Sequence, residues 1–64
     1  MNAEELKKLL GKRFKIFLKS RIVYHCILIS VEDDSISIID KFDNKVFISL
    51  DEISTMSLIG GQQQ

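Results

Sequence analysis

Between Lys12 and Lys19 every second residue is apolar. Phe14, Ile16 and Leu18 fall on one side of an extended chain, and Arg13, Lys15, Phe17 and Lys19 on the other. This is the period-two signature of a half-buried β-strand. Ser20-Arg21 reads as a tight connection, although it lacks the glycine that a primed hairpin turn prefers. Ile22 to Val31 follows as a long run rich in β-branched residues. Its faces are Ile22, Tyr24, Cys26 and Leu28 on one side and Val23, His25, Ile27, Ile29 and Val31 on the other. A strand apolar on both faces is expected to be covered on both, here by a helix and by the interior of a barrel.

Glu32-Asp33-Asp34 predicts a turn and Ser35 to Ile39 a third strand. A polar hairpin connection, Asp40 to Lys45, leads to a fourth strand over Val46 to Leu50. Asp51-Glu52 then precedes a fifth over Ile53 to Ile59. Ahead of the strands, Leu6, Leu9 and Leu10 make a narrow stripe at helical spacing. Asn2 with Glu5 three positions on forms an N-terminal capping pattern, and Gly11 supplies the stop. A helix of two or three turns does not persist alone, so this stripe must dock on the strands. The expected class is mainly β: a short helix over about residues 3–10, then a five-stranded, strongly bent SH3-like barrel over about 12–59. A flexible tail is expected over residues 60–64.

Sixty-four residues allow a single domain. At that size folding hides only about 60 % of the surface exposed by the unfolded chain, a marginal figure for a monomer. One cysteine excludes an internal disulfide, and Cys26 with the single His25 cannot make a structural zinc site. Self-association at open strand edges is the remaining remedy. With 45 % hydrophobic and 28 % charged residues the chain is not disordered. No apolar run reaches the roughly 18 residues of a membrane span. Met1 to Glu5 lacks the basic-then-apolar order of a signal peptide, so the expected location is cytoplasmic.

The net charge of zero conceals a split. Residues 1–25 carry seven cations against Glu4 and Glu5, a balance of +5, and residues 26–64 carry Lys41 and Lys45 against seven acids, a balance of −5. One basic and one acidic surface are expected from this division.

Several short segments carry a family likeness. Ile16-Phe17-Leu18 is an apolar-aromatic-apolar triplet in the first strand. Leu28-Ile29-Ser30-Val31-Glu32 is an apolar stretch ending in an acid, and Ile53-Ser54-Thr55 is an Ile-Ser-Thr triplet in the last strand. Over about Leu6 to Leu58 the chain resembles the Sm-like family, in particular its bacterial Hfq branch. The resemblance implies a bent five-stranded barrel and a ring, a homo-hexamer or heptamer, that binds single-stranded RNA. Departures lie at the family's uridine-binding positions. Asp34 stands where an aromatic or histidine would stack a base, and Leu50-Asp51 where Hfq proteins carry Lys-His; Ser49-Leu50 replaces the Sm proteins' Arg-Gly. Carboxylates there repel phosphate. The family's strand-two glycines are likewise replaced, by Arg21 and Cys26.

The opposite face is better supplied. The resemblance implies an RNA-binding role, with adenine-rich strands as the expected ligand, for Phe17, Ile22, Val23, Tyr24, His25 and Thr55. Alternation alone sets Phe17 outward among Arg13, Lys15 and Lys19. An aromatic beside cations is what a stacking platform for single strands needs. The competing readings are that Phe17 packs under the helix or at a subunit seam, that His25 is an ordinary strand residue, and that Cys26 is a small buried hydrophobe. No catalytic constellation, phosphate loop or metal cluster is visible, so neither an enzyme nor a cofactor is expected. A scaffold of the same fold that has lost RNA binding and recognises protein is the alternative function.

Overall fold

The computed structural model describes residues 3–59. Helix α1 spans Ala3–Lys7, with Glu4 and Glu5 in its first turn and Lys7 at its end, matching the helix dipole. It is shorter than its leucine spacing predicts. Beyond Lys7 the chain tightens into i→i−3 turns, with Lys8 N donating to Glu5 O at 3.2 Å and Leu9 N to Leu6 O at 2.9 Å. That tightening turns Leu10 outward, while Leu6 is buried and Leu9 packs at the core margin. Gly11 closes the segment at φ +83, a left-handed conformation open to glycine at little cost. Its N–H donates to Leu28 O at 2.8 Å, and Leu28 N returns a bond to Lys12 O at 3.1 Å, tying the helix to the sheet. Asn2, the expected cap, and the expected tail lie outside the described residues.

Five strands follow: β1 (Arg13–Leu18), β2 (Val23–Val31), β3 (Ser35–Asp40), β4 (Lys45–Ser49) and β5 (Ile53–Leu58). They form one antiparallel sheet in the order β4-β3-β2-β1-β5. No ladder joins β4 to β5, so the expected closure is absent and both remain as free edges. The two edges are nevertheless consecutive in the chain, joined by a single 3-10 turn, Leu50–Glu52. Four Cα steps reach at most about 15 Å. In a flat sheet, four strand spacings alone would hold the edges about 19 Å apart. The sheet therefore has to curl, and the residues on its inner side become the core.

That core contains Leu6, Phe14, Ile16, Cys26, Leu28, Val31, Ile36, Ile38, Ile48 and Ile53. Strand alternation accounts for most of it. Val31 is the exception, because simple alternation sends it outward with Ile29. The ladder pairs Leu28 with Ile38 and then Ser30 with Ser37, leaving Ile29 as a bulge. One extra residue reverses the facing of everything after it and bends the strand. Val31 thus enters the core and Ile29 stays exposed. A second shift, between Phe17 and Leu18 opposite Thr55 and Ile53, bends the β1–β5 pair. These bulges supply the curvature although β2 contains no glycine. The expectation that β2 is covered on both faces does not hold. The helix packs with the inner side through Leu6, and Val23, His25 and Ile29 on β2 are exposed.

Two hairpins share one construction. Leu18 N donates to Ile22 O at 2.9 Å and Arg21 N to Leu18 O at 2.9 Å; Asp40 N donates to Asn44 O at 2.9 Å and Asp43 N to Asp40 O at 3.0 Å. Each encloses three residues and ends on a left-handed one, Arg21 at φ 74 and Asp43 at φ 70. The expected two-residue connection at Ser20-Arg21 is therefore a three-residue loop, Lys19 to Arg21. Asp40 supports its own loop by accepting from Phe42 N and Asn44 N, both at 2.9 Å. Arg21 has no such help, and a non-glycine residue there is strained. The substitution Arg21→Gly is expected to raise stability by about 0.5–1 kcal/mol, read as a higher urea midpoint at unchanged slope.

Candidate nucleic-acid interface

The ladders lay the outward residues of β5, β1 and β2 in transverse rows. Thr55, Phe17 and Val23 make one row; Ser57, Lys15 and His25 make the next; Arg13 and Ile27 begin a third. Lys15 bends back over its neighbour along the strand, its Nζ 5.2 Å from the Phe17 ring centroid. Phe17 is half-buried, so its ring is held by the sheet while part of it meets solvent. Among the described residues the ion pair found is Lys7 Nζ to Glu4 Oε1 at 3.6 Å, on the helix. Arg13 and His25 therefore keep their donors free on this face.

Not every expected site residue joins these rows. Tyr24 lies opposite Ile16 on the inner side and packs against the core, because alternate strand positions face opposite ways. It is parted from Phe17 and His25 by the thickness of the sheet. Lys19 and Ile22 sit in the β1–β2 connection rather than in a strand. Lys19 N donates to Glu52 O at 2.8 Å, and Ile22 O accepts from Leu18 N. The structure thus assembles Arg13, Lys15, Phe17, His25 and Thr55 on one face and sets Ile22 and Lys19 at its margin.

Two exposed aromatics were absent from the sequence-based set. Phe42, at the tip of the β3–β4 loop, is 73 % exposed, and Phe47, on the free edge β4, is 74 % exposed. Each lies under a lysine, Lys41 and Lys45 respectively, at 5.3 Å from ring centroid to Nζ. A signal for Phe47 existed in the alternation of β4, where Val46 and Ile48 turn inward and Lys45 and Phe47 outward. Phe42 had a weaker one, a lone aromatic within a polar connection.

The acidic positions also meet. Leu50 N donates to Asp34 O at 2.9 Å, joining the β2–β3 turn to the 3-10 turn, and Ser49 Oγ donates to Asp51 Oδ1 at 2.5 Å. Asp34 and Asp51 are exposed carboxylates at this junction. Among the described residues no cluster of three His, Cys, Asp or Glu side chains could hold a metal ion. No described helix is long and apolar enough to cross a membrane.

Comparison with family models, with curated proteins and with solved structures finds no match to this chain.

Cys26 is the remaining reactive group. It is 6 % exposed, and its thiol points at Phe14 O at 3.7 Å. Burial, with a lesser contribution from the Asp40 carboxylate, pushes it up from 9.0 to about 11. The thiolate is disfavoured in the folded chain and free to form in the unfolded one. Stability present below pH 9 is therefore expected to decline towards pH 11 by about 1.4 kcal/mol per pH unit. Urea titrations across that range check it, and Cys26→Ala is expected to flatten the decline.

Proposed function

We propose that this protein is a ring-forming, Sm/Hfq-like RNA-binding protein that holds single-stranded RNA on the outer face of β1 and β2. The observation that carries this reading is Phe17, held half-open between Val23 and Thr55 with Lys15 over its ring and, among the described residues, the side-chain donors of Arg13 and His25 unpaired alongside. A base stacks on the ring while the cations meet phosphates, the combination that single-strand binders use. Self-association fits the two free edges. An exposed β4 and an exposed β5 are complementary ladders, and head-to-tail pairing of such edges closes into a ring when the rotation permits. Repeating one weak site around that ring raises avidity without new contacts.

The charge pattern favours this face over the other candidate. Asp34 and Asp51 gather near the 3-10 turn and repel phosphate, whereas Arg13, Lys15 and His25 line the Phe17 face. A second reading is an oligomeric scaffold that binds protein. Phe42 and Phe47 favour it, since large exposed aromatics mark protein contacts.

Fluorescence anisotropy with labelled oligoadenylate and oligouridylate separates the two. Binding is expected to weaken as salt rises, as phosphate contacts require. Phe17→Ala is expected to cost about 1–3 kcal/mol in affinity while the mass by light scattering stays that of a hexamer or heptamer. Binding unchanged in that variant removes Phe17 from the site, and a monomeric mass removes the ring.

A further inference from the structure

A groove of about 370 Å³ opens beside the Phe17 face, within the size range of small-molecule sites. Its floor comes from the third transverse row. Arg13 is in register with Ile27, and Ile27 with Ile39. Ile59 lies alongside, its N–H donating to Arg13 O at 2.9 Å. His25 and Lys41 complete the rim, two residues before Ile27 and two after Ile39. The floor is thus apolar and about 10 Å wide across three strands, and three nitrogen-bearing side chains stand around it. One acid, Asp40, also lines the groove, but its Oδ1 accepts from Phe42 N and Asn44 N. Those two bonds hold the carboxylate to its own loop; its negative charge remains and is outnumbered at the groove by Arg13 and Lys41. Among the described residues the Arg13 and His25 side chains have no ion-pair or hydrogen-bond partner, and Lys41 lies over the Phe42 ring.

We propose that this groove binds a nucleoside monophosphate unit, its base on Ile27, Ile39 and Ile59 and its phosphate at Arg13 and Lys41. An apolar floor under a cationic rim selects an anion with a flat, poorly hydrated body. The planar guanidinium of Arg13 suits a phosphate through paired hydrogen bonds. The choice of a nucleotide rests on the RNA reading above, because His25 belongs both to this rim and to the row next to Phe17. Ile27 and Ile39 of the floor lie on β2 and β3, away from the β4 and β5 edges, while Ile59 follows directly on β5. The nucleotide can be free or part of a strand, and the two sources give different results below.

The test is a backbone amide NMR titration of the full chain with adenosine 5′-monophosphate, and separately with adenosine, inorganic phosphate and oligoadenylate. The monophosphate is expected to give saturable shifts at Ile27, Ile39, Lys41 and Ile59. Adenosine and phosphate alone should each bind about tenfold more weakly, because each lacks half of the contacts. Both Arg13→Ala and Lys41→Ala should weaken the monophosphate by about tenfold while the thermal midpoint stays unchanged. Shifts at these amides with oligoadenylate alone, lost in Arg13→Ala, assign the site to a nucleotide within a strand. Equal binding of inorganic phosphate and the monophosphate overturns the proposal, as does a titration that leaves these amides unmoved with every nucleotide. The Phe17→Ala variant is expected to keep monophosphate binding, so failure of the groove and failure of the Phe17 site are read separately.

Discussion

Three residues, Leu50 to Glu52, connect strands that lie at opposite edges of a five-stranded sheet. No flat arrangement permits so short a crossing, and the rest of the architecture answers to it. The curl turns one face into an enclosed core for a chain too small to enclose one otherwise. It also fixes where irregularity must appear. The bulge at Ile29 and the shift opposite Ser54 take up the bending that a regular ladder resists. The short helix contributes Leu6 to the enclosed side and is held there by the backbone bonds of Gly11 and Lys12 to Leu28.

Curling also sorts the chemistry. Residues on the inner side are mostly aliphatic, and the buried Cys26 thiol among them meets a carbonyl oxygen. Ser37, buried toward the outer layer, shares a hydrogen bond with Ser30 at 2.5 Å. Such pairing is what lets a hydroxyl remain out of water at modest cost. Among the described residues the strand cations of the outer side form no ion pair, and its aromatics are part-open or exposed. That contrast places the functional candidates on the outer rows, where lysines lie over Phe17 and Phe47 and a groove begins at Arg13.

Much of this was legible from residue order. Alternation located all five strands to within a residue or so, and the inward set of β1 was correct in full. The leucine stripe found the helix but overran it, because spacing does not register the tightening after Lys7. Facing failed where a bulge intervened, at Val31, since periodicity carries no mark of an inserted residue. Of the site, the Phe17 row and its cations followed from alternation. Tyr24 was included through likeness to a family, and its parity sends it to the core side. The groove could not be read in advance, as it depends on register between strands distant in sequence, Arg13 with Ile27 and Ile27 with Ile39.

The bulge has a further meaning for how this chain tolerates change in length. Along most of β2 the loss of one residue would turn the downstream side chains inside out, exchanging aliphatic for polar against the interior. At Ile29 the opposite holds. Leu28, Ser30 and Val31 already meet Ile38, Ser37 and Ile36 in unbroken succession on the partner strand. Excising Ile29 would leave every facing intact and straighten the strand, so a codon can vanish there at the expense of curvature alone, and Ser54, the extra residue opposite Phe17 and Leu18, is a second such place.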